Sequence, residues 1–302
     1  MITLNTEKGF VKIERWEDIE SLPRFVDNLN PSAHKLKEII GRYIFKDYIK
    51  CGLSNCHTPH GKGYIATTME GMSTNIGKDC GKKYFGVDFE TLSKKFDRDY
   101  TEAENRERLW SFSFQVEEIE DKISNMRQGE KGADWVNKKS QQLLRPGGDC
   151  PNEIVRQVTA MVKARTSTLT HEREATESEI EIAEAQAGRR VQRPYNIEEP
   201  IAEIAGFEVL YPENNLKNLL IDDLETHLKS FKSKNIDILS FEELRNWVKW
   251  TGSVENVIET AQKLTTLGSK LLSKENLEPF TRLSKTRNDI AQFRSYLKNI
   301  EL

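Results

Sequence analysis

The chain has 302 residues, and with charged residues at 31% and the hydrophobic set at 37% it is more polar than an ordinary compact globule of that length. No run approaches the roughly 20 consecutive apolar residues of a bilayer span, and the N-terminus lacks a signal peptide's basic and then apolar pattern, so the cytoplasm is the expected location. The net charge of −3 is uneven: residues 1 to 100 hold 16 Lys+Arg against 14 Asp+Glu, residues 101 to 250 hold 21 against 28, and the last 52 hold 8 against 6, which excludes a phosphate clamp along the whole molecule and leaves only the ends for such contacts.

In chain order, Gly9 to Glu14 reads as a short strand, followed by two helices. The second of these is expected to start at Asn30-Pro31-Ser32, with Ser32 or Asn30 as cap, and to carry Leu36, Ile39, Ile40, Tyr43 and Ile44 as one apolar face. Residues 63 to 77 read as a hairpin, with β-branched and aromatic residues on either side of Glu70-Gly71. Lys78-Asp79-Cys80 then opens a helix, with Asp79 able to cap and Cys80 in the first turn.

Residues 51 to 80 contain three of the four cysteines and two of the five histidines. Thiolate and imidazole are the ligands that zinc prefers, and structural sites are closed and four-coordinate. Clustered cysteines in a reducing compartment are more often metal ligands than bridges, and the surrounding Gly52, Ser54, Asn55, Thr58, Gly61, Lys62 and Gly63 offer no evident core in which to bury free thiols. Metal is therefore expected to be required for residues 45 to 90 to fold.

The ligand set expected for one structural zinc ion is Cys51, Cys56, His60 and Cys80, with His57 as the alternative to His60. The three residues between Cys56 and His60 give the latter room to reach the ion, whereas His57 would have to fold back within one peptide unit. Loop ligands, a hairpin and a ligand in the first helical turn resemble a treble-clef zinc finger, and IGKDCGKKYFG is similar to the segment that opens the helix in such modules. The resemblance covers residues 51–86 and implies only a local fold. It departs from the family pattern in that Cys80 has no second helical ligand and four residues, not two, separate the first pair. Glu70 is the sole glutamate in that segment and neither an HExxH nor a deaminase pattern is present, which favours a structural over a catalytic ion. Cys150 stands apart as an incidental thiol.

Lys78, Lys82, Lys83, Lys94 and Lys95 lie on or beside the helix after Cys80, with Tyr84 and Phe85 between them. They are candidate nucleic-acid contacts, set against the plainer reading of a solvated face balanced by Asp88, Glu90, Asp97 and Asp99.

Leu109, Phe112, Val116, Ile119, Ile123 and Met126 repeat at heptad spacing, and Val155, Val158, Val162 and Leu169 form a sparser stripe after the breaker at 145 to 148. Together they suggest a long antiparallel hairpin, although the seam of a parallel dimer would show the same spacing. Residues 189 to 200, with two prolines, read as a linker, and a helical C-terminal region carries leucine stripes and the anchors Trp247 and Trp250.

The expected fold is mainly α with a small N-terminal α+β zinc module: residues 1–87 with the module at 51–86, a coiled-coil-like helical hairpin over 88–188, a linker at 189–200 and a helical domain over 201–302. The expected function is a zinc-stabilised, non-enzymatic binding or scaffold protein of phage or mobile-element type that meets a protein partner through the hairpin or the C-terminal domain. The alternatives are a nucleic-acid-binding regulator using the basic helix, and an enzyme whose site is scattered in sequence. Neither a membrane partner nor a definite oligomeric state is implied.

Overall fold

The computed structural model describes residues 1–284 and 286–301. The chain divides into two compact units, Met1–Ser111 with Ile236–Val248 and Phe112–Asn235 with Lys249–Leu302.

In the first unit, β1 (Ile2–Thr6), β2 (Gly9–Ile13), β3 (Leu36–Lys50), β4 (Pro59–Thr68) and β5 (Ser73–Gly77) form one antiparallel sheet in the order β2-β1-β3-β4-β5. Strand alternation gives it two apolar faces. On one, Ile39, Ala66 and Ile76 pack with Phe89, Phe96 and Tyr100 of the helix α2 (Lys78–Ser113). On the other, Ile2, Leu4, Tyr43 and Ile65 pack with Ile19 of the short helix α1 (Glu17–Glu20), and the ring of Trp16 lies 5.1 Å from Tyr43 and 5.9 Å from Phe45. A sheet covered on both faces and running from Ile2 to Gly77 is the body of this unit, larger than the small module expected from the sequence.

The expected helix through Leu36 and Ile44 is instead the long strand β3. Its register with β4 shifts between Leu36 and Glu38 and between Ile39 and Gly41, and such bulges break the two-residue period. The resulting apolar spacing imitates a helical stripe, yet Ile39, Gly41 and Tyr43 are buried alternately with less buried neighbours, as in a strand. The hairpin lies where the residues indicate, with Thr67 opposite Ser73 across the turn containing Glu70 and Gly71.

In the second unit, α3 (Val116–Gln128) and α4 (Ala133–Gln142) form a short helical hairpin, with the Arg127 guanidinium holding both Asp134 carboxylate oxygens at 3.0 Å. After α5 (Asn152–Ala164), β6 (Thr168–Glu174) and β7 (Asn196–Glu203) pair as an antiparallel ribbon on either side of α6 (Glu177–Ala187) in sequence. The last part comprises a π-helical stretch at Asn218–Glu225, α7 (Thr226–Lys232), the end of α8 (Phe241–Thr251), α9 (Val254–Leu271), α10 (Lys274–Leu277) and α11 (Arg287–Glu301).

The heptad seam therefore does not belong to one long hairpin over 88–188. It breaks at residues 114–115, between α2 and α3, and Leu169 at the end of the expected partner stripe lies in β6. Phe112 meets Phe231 and Trp250, at ring distances of 5.3 and 5.9 Å, so the seam finds apolar partners near the C-terminus. The segment expected as a linker includes the start of β7. No helix among the described residues is long and apolar enough to cross a membrane.

Candidate metal centre

Three chain segments meet at one end of the sheet in the first unit. Cys51 directly follows β3, Cys56 lies in the loop leading to β4, and Cys80 is in the first turn of α2, which begins where β5 ends. The loop is tied at several points: Cys51 N–H donates to Thr58 O at 3.1 Å, Cys56 N–H to Leu53 O at 3.1 Å, and Gly52 N–H to Asn75 O at 2.9 Å. Leu29 N–H donates to Gly52 O at 2.8 Å, and Ser54 N–H returns to Leu29 O at 2.9 Å.

These ties bring the Cys51, Cys56 and Cys80 sulfurs within 4.8 Å of one another, with Cys56 and Cys80 at 3.2 Å. Zinc–sulfur bonds of about 2.3 Å at tetrahedral angles place two sulfurs roughly 3.8 Å apart, between these two distances. The three thiols are therefore close enough to hold a metal ion. Backbone N–H groups of Leu53 and Gly77 face the Cys51 sulfur, and that of Thr58 faces the Cys56 sulfur. Such donors stabilise thiolates, and the N-terminus of α2 adds its positive end beside Cys80.

The three thiols do not ionise alike. Burial, followed by the hydrogen bond and charge of its cysteine neighbours, pushes Cys80 up to about 12. Burial also raises Cys51, while at Cys56 the bonds from Thr58 and the other two cysteines outweigh burial and lower it. A divalent cation overrides the upward shifts of Cys51 and Cys80, because a coordinating thiol is deprotonated outright.

Neither histidine joins the sulfur cluster among the described residues. His60, in β4, lies 3.0 Å through Nδ1 from Thr58 O, and its Nε2 is paired with the Tyr43 hydroxyl. Asn75 Nδ2 donates to that hydroxyl at 3.3 Å and to Lys50 O at 2.7 Å. His57 is exposed, has a left-handed backbone with φ 51°, and lies 3.3 Å through Nδ1 from Cys51 O.

The sequence suggested a loop without apolar support, and the structure corrects this. Cys51 is 1% exposed within a core that includes Leu29, Leu53, Ile76 and Phe89. The support was hidden because Leu29 comes from a distant segment that bridges to Leu53, and Phe89 from the helix beyond the cluster. At Gly81, one residue after Cys80, a Cβ would lie 2.4 Å from the Phe89 ring, so only glycine lets that ring close over the first turn of α2. Gly86 then breaks the helix at φ 56° and ψ −131°, a conformation that side chains disfavour.

Among the basic candidates, Lys82 pairs with Glu90 at 2.9 Å, and the Lys83 ammonium lies 5.0 Å over the Tyr84 ring. Tyr84 and Phe85 pack against the core, and Tyr84 donates to Asn55 O at 3.0 Å, so these aromatics are not free stacking platforms. Lys78 is exposed beside the cysteine site, whereas Lys94 and Lys95 line a shallow cavity of ≈ 400 Å³ with Arg98, Asp99 and Glu102. Glu70 hydrogen-bonds His34 at 3.3 Å at the hairpin turn, and Cys150 is buried and pushed up to about 12 by burial and by Asp149. Comparison with protein-family models, curated proteins and solved structures finds no match to the chain.

Proposed function

We propose that Cys51, Cys56 and Cys80 bind one structural zinc ion with His60 as fourth ligand, and that the chain is a non-enzymatic binding or scaffold protein whose first unit this ion fastens. The observation that carries the reading is the convergence of three sulfurs within 4.8 Å, two of them faced by backbone donors. Thiolate-rich closed sites serve structure, because a catalytic zinc needs an open position for water or substrate.

His60 would take the fourth position by exchanging the Thr58 carbonyl for the ion at Nδ1. Its Nε2–H would then donate to the Tyr43 hydroxyl, the kind of outer bond that orients ligating histidines. Because a core surrounds Cys51, the ion acts as a clip joining the 51–58 loop to α2 and is not needed to build the sheet. Metal analysis of the purified chain is expected to return one zinc per chain, and Cys80→Ser to lose it while keeping strand content. Full metal content in Cys80→Ser would overturn the site.

The partner is proposed to be a protein that docks on the helical part of the chain. Phe114, 83% exposed between α2 and α3, offers a large apolar side chain there. The grouping of Lys94, Lys95 and Arg98 around one cavity favours a second reading, contact with nucleic-acid phosphates. Pull-down from a native lysate with and without nuclease separates the two: a protein captured in both cases supports the first reading, and capture lost with nuclease supports the second.

A further inference from the structure

We propose that the metal site is also a redox site, in which hydrogen peroxide converts Cys56 and Cys80 into a disulfide and releases the ion. The metal-release part rests on the zinc reading above, whereas the disulfide rests on the cysteine geometry alone.

The three sulfurs are not equivalent. Cys56 and Cys80 lie 3.2 Å apart and are both partly exposed, whereas Cys51 is 1% exposed and is held by Leu53 and Gly77 N–H groups within the core. Closing the pair to a disulfide of about 2.05 Å requires a movement of little more than 1 Å, and Cys56 sits in a loop that can provide it. The Cys51 sulfur is also within 4.8 Å of both, but it is buried and held by those donors, which makes it the poorer competitor. Cys150 belongs to the second unit and is buried, so it is no substitute partner.

The Cys56 thiolate attacks one peroxide oxygen, breaking the O–O bond to give a sulfenic acid and hydroxide, which takes up a proton as water. The Cys80 thiolate then attacks the Cys56 sulfur, forming the S–S bond and expelling a second hydroxide, which also leaves as water. The two thiolates lose two electrons and the peroxide gains them. With two of its three thiolate ligands consumed, the site cannot hold zinc in its original form. A thiol reductant that transfers two electrons back restores both ligands.

The experiment treats the full chain, zinc-loaded and metal-free in parallel, with graded hydrogen peroxide. Released zinc is followed with a chromogenic chelator, and disulfides are mapped by mass spectrometry of unreduced peptides. The expected result is a Cys56–Cys80 linkage in both samples, with one zinc released per linkage in the loaded sample and rebound after dithiothreitol. Cys56→Ser should form no intramolecular linkage, whereas Cys51→Ser should still form it. Linkage through Cys51, or cysteines oxidised without any intramolecular linkage, would overturn the proposal even if the folding of one variant is impaired. A chain purified without zinc that binds none when it is supplied would refute the zinc reading, and the linkage in the metal-free sample would still test the disulfide.

Discussion

At the residue scale, the proposed zinc site would depend on groups that orient its ligands as well as on the ligands themselves. Tyr43 is fully buried, and its hydroxyl lies between His60 Nε2 and Asn75 Nδ2. If His60 ligates, Tyr43→Phe removes the outer hydrogen bond and keeps the ring, so zinc affinity should fall by about 10- to 100-fold in a competition titration. His60→Ala should lose the metal and His57→Ala should keep it; the reverse pattern would move the fourth corner to His57. The three cysteines were legible in the sequence because they cluster among polar loop residues that explain them poorly otherwise. The proposed fourth ligand was less legible, because spacing gives reach but does not reveal that Thr58 and Tyr43 already engage both His60 nitrogens.

Among the elements, β3 shows how a pattern misleads. Apolar residues at 36, 39, 40, 43 and 44 fit a helix, yet Ile39, Ile40, Tyr43, Ile44, Phe45, Tyr48 and Ile49 are β-branched or aromatic and favour a pleated surface. That composition was the available signal, and the bulges hid the alternation. In the heptad seam the buried positions on α3 are Val116 and Ile123, at 3% and 1% exposure, whereas Ile119 is only half-buried. Ile123→Ala should therefore cost about 2 to 5 kcal/mol in denaturant unfolding and Ile119→Ala less. On α6, the Arg173 guanidinium and then the Thr176 cap hold Glu179 down to about 2. Since an unfolded glutamate titrates near about 4.3, this contribution is present above that pH and is lost as pH falls toward 2. It is small, because the pair is exposed to solvent. The melting temperature of Glu179→Gln should thus depend less on pH between 4 and 2 than that of the parent, and equal slopes would rule the contribution out.

On the scale of the whole molecule, the chain divides into two units, and residues 236–248 return to the first. That return could not be read from the sequence, where stripes along the C-terminal half look continuous and carry no mark of the unit they join. The proposed role of a zinc ion as a clip belongs to this scale as well. Ligand binding stabilises the native state by mass action, about 4 kcal/mol when free zinc is a thousand-fold above its dissociation constant, so a strong chelator should lower the melting temperature of the first unit and leave a folded sheet. Loss of all strand signal on chelation would instead make the ion essential for folding. Zinc X-ray absorption of the purified chain reads the proposed ligand set itself. Three Zn–S bonds at about 2.3 Å and one Zn–N bond at about 2.0 to 2.1 Å are predicted, whereas a first shell dominated by oxygen, or with fewer than three sulfurs, would contradict it.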